Sequence, residues 1–210
     1  MKVLTGGLLL LLSWEILADI YLLPTQPTNK QIQRVFEQEL GQNLLFHRPV
    51  DLPIEVERTH KDMIVTMTPW VKLGFVNQED TRFMAEKIMY GEPREVSVGG
   101  FKYTYDQDNP LVSEKGIYYG RPKLKEVFSV SQVSEIGGEF FCEVYISWYA
   151  DDIQSWIDKV NLRSRENRLL RRAKESFEKP FEKRLQMIQI NGEWHLWQGS
   201  GKKKVKQSLF

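Results

Sequence analysis

Imidazoles and thiols are few in this 210-residue chain: His47, His60, His195 and a single cysteine, Cys142. His195 sits between Trp194 and Leu196, and with Glu143, Tyr145 and Asp151 it supplies the imidazole, carboxylates and phenol of a general acid–base set. A strand histidine on a solvent face is the simpler reading, and it outweighs the catalytic one. His60-Lys61-Asp62 and His47-Arg48-Pro49 fall in loops and read as solvated surface residues. One thiol makes neither an intramolecular disulfide nor a metal cluster. Cys142 occupies an alternating strand position, where cysteine behaves as a small apolar residue. There is no Gly-x-Ser-x-Gly, no His-x-x-x-His and no phosphate loop, so no cofactor and no metal is expected. Binding is therefore favoured over catalysis. The candidate binding set is Tyr145, Trp148, Trp194, His195 and Trp197.

The elements that must position these residues are legible in the second half. Glu126–133 and 139–149 read as two strands joined at Ile136-Gly137-Gly138. In the longer one, Phe140, Cys142, Val144, Ile146 and Trp148 alternate with Phe141, Glu143, Tyr145, Ser147 and Tyr149. That is the pattern of a half-covered antiparallel sheet. Asp151 or Asp152 caps a charged helix with the stripe Ile153, Trp156, Ile157 and Val160, ended by Pro180. Residues 181–190, Asn191-Gly192 and residues 193–197 form a hairpin with a type I′ turn, because Asn-Gly accepts two positive φ angles.

The first half is expected to be mostly helical. Thr28-x-x-Gln31 is a capping box ahead of Ile32, Val35, Phe36 and Leu40, with Gly41 as the stop. Ile54-Glu55-Val56 is a short strand. Pro69 opens a helix of one to two turns running into Phe75-Val76. Residues 79–90 read as a helix burying Phe83, Met84, Ile88 and Met89, and residues 96–119 as a hairpin turning at 106–110.

Residues 1–23, MKVLTGGLLLLLSWEILADIYLL, carry one Lys ahead of a leucine-dense run. Val3 to Trp14 fits the apolar region of a secretory signal. Val3 to Leu23 is long enough to span a bilayer, which takes about 20 residues. Glu15 and Asp19 share a helical face, and an acidic group near the bilayer centre costs roughly 2.5–3.5 kcal/mol. Export ranks first, a retained anchor second and a cytosolic chain third. The expected location is the periplasm, or the inner membrane facing it. No cysteine follows the run to take a lipid.

Composition is ordinary for a globular chain, with 41% hydrophobic and 27% charged residues. Residues 1–150 carry 15 Lys+Arg against 20 Asp+Glu, and residues 151–210 carry 14 against 8. Neither half is extreme, so mutual complementation is the favoured reading of this asymmetry. Arg163 to Lys174 with Lys202 to Lys206 could dock on an anionic membrane surface. Nucleic acid is not expected as a partner.

Trp70-Val71-Lys72-Leu73-Gly74-Phe75-Val76 with 101–119 as a wing is similar to a winged helix. Its helix 79–90 holds Glu79, Asp80 and Glu86 against Arg82 and Lys87, which argues against DNA contact. The strands around 140–149, 185–190 and 194–197 resemble the curved sheet of nuclear transport factor 2-like, or cystatin-like, domains. An anchored form resembles inner-membrane scaffold proteins of type IV secretion systems. Gly192-Glu193-Trp194 resembles the end of exported bacterial proteins that join these two parts. The resemblances imply an envelope protein bound to other envelope proteins, as a scaffold or accessory subunit. An enzyme around His195 and a periplasmic immunity-type inhibitor are the alternatives. The expected class is α+β: a signal or anchor helix (1–23), a helical part with a β-hairpin (28–120), and a curved four-stranded antiparallel sheet with an inserted amphipathic helix (122–198). A basic tail (199–210) closes the chain.

Overall fold

A computed structural model describes residues 24–197 and 199. The expected leader and the lysines at 202–206 lie outside the described residues. Helix α1 (Asn29–Glu39) starts on the expected capping box: Gln31 N donates to Thr28 Oγ1 at 3.3 Å, and Thr28 N donates to Gln31 Oε1 at 2.8 Å. Ile32, Val35 and Phe36 are buried on one stripe of it. Strands β1 (Leu45–His47) and β2 (Ile54–Glu57) follow, then α2 (Lys61–Lys72).

Proline 69 does not open α2 but sits inside its last turns. Proline lacks the N–H that would have bonded Val65 O. Val65 is 70% exposed, so water can satisfy that carbonyl. The Thr66 and Thr68 hydroxyls donate back to Asp62 O and Ile64 O at 2.9 and 2.7 Å. The helix then ends at Gly74, whose φ is 72°.

Residues 79–90 are not a helix. They belong to β3 (Val76–Met89), which pairs along its whole length with β4 (Glu92–Tyr105) across a Tyr90-Gly91 turn with φ of 56° and 86°. Met, Ala, Glu and Lys favour helix, but fourteen cross-strand pairs override that preference. The expected 96–119 hairpin is also reassigned. Strand β4 lies between β2 and β3, whereas the return strand β6 (Gly116–Val130) joins the other sheet with β5 (Val112–Ser113) on its edge. Asp106 N donates to Phe75 O and Asn109 Nδ2 to Gly74 O, holding the crossover between the sheets.

Strands β7 (Ser134–Ile136) and β8 (Glu139–Asp151) turn at Gly137-Gly138, with φ of 64° and 83°. The single amphipathic helix expected next is a 3₁₀ turn over Ser155–Lys159 and a separate α3 (Arg168–Lys174). Asn161 breaks it: its Oδ1 accepts from Arg163 N at 3.1 Å and its carbonyl accepts from Asn167 Nδ2 at 3.0 Å. Trp156, Ile157 and Val160 are buried nonetheless. Strands β9 (Phe181–Ile190) and β10 (Glu193–Leu196) close the fold through Asn191-Gly192, both at positive φ.

The class is α+β, with antiparallel pairing throughout. The main sheet has seven strands rather than four: β1-β6-β8-β9-β10, with β5 beside β6 and β7 beside β8. Strand β6 runs through residues 120–122 and so belongs to both expected parts. Its pairing to β8 shifts register at Leu124/Glu126 and at Val127/Ser129. Such bulges increase local twist and curl the sheet. Helix α1 contacts both β6 and β10. The buried side chains form one cluster reaching from Phe36 and Trp70 through Tyr103 and Tyr119 to Trp148, Leu170 and Leu196.

Candidate functional site on the outer face of the main sheet

Alternation along β8 decides which side chains can meet a partner. Cys142, Val144, Ile146, Trp148 and Ala150 point inward and are buried. Strand β9 presents Leu185 and Met187 to that core, and β10 presents Trp194 and Leu196. Trp148 is 0% exposed and Trp194 4%, so these two members of the expected binding set are core residues. Their large rings fill the sheet's covered side, as the apolar phase of each strand requires.

The opposite face carries Phe141, Glu143, Tyr145 and Tyr149, all half-buried. The two bulges of β6 enlarge it. Between the pairs Leu124↔Trp148 and Glu126↔Ser147 lies the extra residue Lys125, and between Val127↔Ile146 and Ser129↔Tyr145 lies Phe128. Both extra residues join the outer side. Phe128 is 43% exposed and its ring lies 5.0 Å from that of Tyr145. Lys125 donates to Phe177 O and lies 4.8 Å from the Phe177 ring centre. Phe177, 58% exposed, meets Tyr149 edge-on at 5.2 Å.

Cations sit over these rings. Arg184 lies 5.2 Å from the Tyr145 ring centre and donates to Glu143 Oε1 at 2.6 Å. Lys123 lies 6.0 Å from the Tyr149 ring centre and donates to Asp151 Oδ2 at 3.1 Å, a bond that raises its pKa. The Tyr145 hydroxyl donates to Glu182, which holds it above the usual phenol range. The result is a strip of aromatic rings in which Tyr145, Tyr149 and Phe177 each have a cationic neighbour.

The strip continues into a groove of about 470 Å³ at the β7–β8 turn, lined by Ser131, Ser134, Ile136, Phe141, Glu143, Gln186 and Trp197. Trp197 meets Phe141 edge-on at 6.1 Å, and its backbone N donates to Gln186 O at 2.9 Å. Tyr145 and Trp197 of the expected set therefore belong to one continuous surface. His195 is set apart: its Nδ1 lies 3.6 Å from Glu39 Oε1 at the end of α1.

The acid–base set does not assemble. Arg184 links Glu143 and Tyr145, Asp151 pairs with Lys123, and His195 faces Glu39. Among the described residues, no three His, Cys, Asp or Glu side chains come together as metal ligands would. No helix among them is long and apolar enough to cross a membrane. In the basic stretch, Lys174 pairs with Asp158, and Arg172 donates to Lys179 O and Pro180 O beneath Phe181. Arg163, Arg165, Arg168 and Arg171 are exposed.

Residue types alone do not reveal Phe128 or Lys125, because a bulge exists only relative to its partner strand. Phe177 reads from sequence as the fading end of a helical stripe. No family model, curated protein or solved structure matches this chain.

Proposed function

We propose that the chain is an exported or membrane-anchored bacterial envelope protein that binds other envelope proteins through the outer face of its main sheet. It serves there as a scaffold or accessory subunit. One observation carries this reading: two bulges in one strand both deliver their extra residue, Lys125 and Phe128, to an aromatic strip that none of the described helices covers. Isolated exposed apolar residues are normal on a surface, but a contiguous strip leading into a groove is the form of a docking site. Cations stacked on the rings keep the strip soluble while free and supply charged neighbours for a partner's polar rim. The leader's composition supports the compartment.

The test is site-specific photocrosslinking in cells with the full chain. A crosslinker at Phe128 or Trp197 should capture an envelope protein, and the substitution Tyr145→Glu in the same chain should abolish the adduct. Adducts confined to cytosolic proteins, or adducts indifferent to Tyr145→Glu, would count against the proposal.

A further inference from the structure

The hairpin β3–β4 extends well past the strand that supports it. Strand β2 covers β4 only from Gly100 to Tyr103, so residues 82–99 form a two-stranded arm. Among the described residues, strand β3 is the last strand of its sheet, with 14 residues and neither proline nor bulge. Long edges of this kind are normally blunted, because their free N–H and C=O groups invite another strand. The two-residue turn makes Met89↔Glu92 the closing hydrogen-bonded pair, so the even-numbered residues from Asp80 to Ile88 point their backbone groups at the open edge. Arg82, Met84, Glu86 and Ile88 are exposed on one face of it, Met84 at 58% and Ile88 at 80%. Lys87, on the other face, reaches back to Glu57 at 2.7 Å, so the arm curls toward that side and turns the Met84 face outward.

We infer that this edge binds a second copy of the same chain, β3 against β3 in antiparallel register across a two-fold axis through Met84. The charge pattern selects the partner and the register. A two-fold at Met84 sets Arg82 of one chain opposite Glu86 of the other, twice by symmetry, and opposes no like charges. Centring on Arg82, Glu86 or Lys87 sets that charge against itself. Centring on Phe83 pairs Glu79 with Lys87 but sets Asp80 against Glu86, centring on Ala85 pairs no charges at all, and centring on Thr81 offers Arg82 only Asp80, which Arg58 already holds. Met84 then meets Met84, Phe83 meets Ala85, and Thr81 meets Lys87. This surface is separate from the outer face of the main sheet and stands or falls independently of it.

The test uses the full chain in mild detergent. Met84→Cys should be joined to itself by a short bismaleimide. Ser97→Cys, its exposed neighbour one strand in from the edge, should not be. The buried Cys142 of the parent chain supplies the background. Arg82→Glu and Glu86→Arg should each weaken the dimer about tenfold in sedimentation, since each opposes like charges twice, and the double swap should restore it. A monomeric parent chain at tens of micromolar, equal crosslinking of the two cysteine variants, or a double swap no tighter than the single ones would each overturn the inference.

Discussion

Arg184 donates to Glu143 Oε1 at 2.6 Å while its guanidinium lies 5.2 Å from the ring centre of Tyr145. One cation thus ties the rim of the groove to the middle of the aromatic strip. The Arg184 side chain is 67% exposed, and such surface pairs contribute about 0–1 kcal/mol to stability. Arg184→Ala should therefore leave the unfolding midpoint nearly unchanged while lowering partner capture severalfold. Thermal unfolding and crosslinking yield, measured on the same preparation, check both halves of that expectation.

His47 carries a pH dependence of known sign. It is 3% exposed in β1, its ring lies 5.3 Å from that of Trp70, and burial lowers its pKa to about 4, opposed in part by Asn167. Above pH 6.5 the imidazole is neutral both folded and unfolded, so it contributes no slope. Between 6.5 and 4 the unfolded chain binds the proton more readily, and stability falls with pH by up to roughly 3 kcal/mol. Urea unfolding at pH 7, 5 and 4 should show this loss in the parent chain and a flatter profile in His47→Gln. Equal profiles would contradict the assignment.

Gly100 pairs with both Glu57 of β2 and Thr81 of β3. A Cβ there would lie 2.3 Å from Val56 O and 2.7 Å from the Phe83 ring. The half-buried ring can shift, but the backbone carbonyl cannot yield cheaply. Gly100→Ala should cost about 1–3 kcal/mol by overpacking. Amide exchange should accelerate first in β2, whose only sheet partner among the described residues is β4. Unchanged exchange in residues 54–57 would argue against that close packing.

Cys142 is 4% exposed on the core side of β8, and burial pushes its thiol up to about 11. Thiolate is the reactive form, so labelling by a disulfide reagent at pH 8 should be slow in the folded protein and fast in denaturant. Rapid labelling of the native protein would place the thiol at the surface instead.

At two sites a local signal is enough. Thr28 and Gln31 cap α1 as their spacing implies, and Asn191-Gly192 turns β9 into β10. The α+β class follows from such elements. Strand β3 is the main divergence, since Phe83, Met84, Ile88 and Met89 fit a helical stripe as well as a ribbon. The turn at Tyr90-Gly91 gives little warning, because tyrosine rarely takes a positive φ. For the site, strand alternation separates Tyr145 from Trp148 once the buried phase is known. The contribution of β6 stays hidden, because its bulges depend on which residues of β8 lie opposite.

The central claim is that a partner covers the outer face in the envelope. Hydroxyl-radical footprinting of Phe128, Tyr145 and Phe177, in envelope preparations and in purified protein, tests it most directly. The exposed His60 on the far loop serves as the internal reference. The three rings should be protected severalfold in the envelope relative to His60 and lose that protection on purification. Equal oxidation of all three in both settings would contradict the claim.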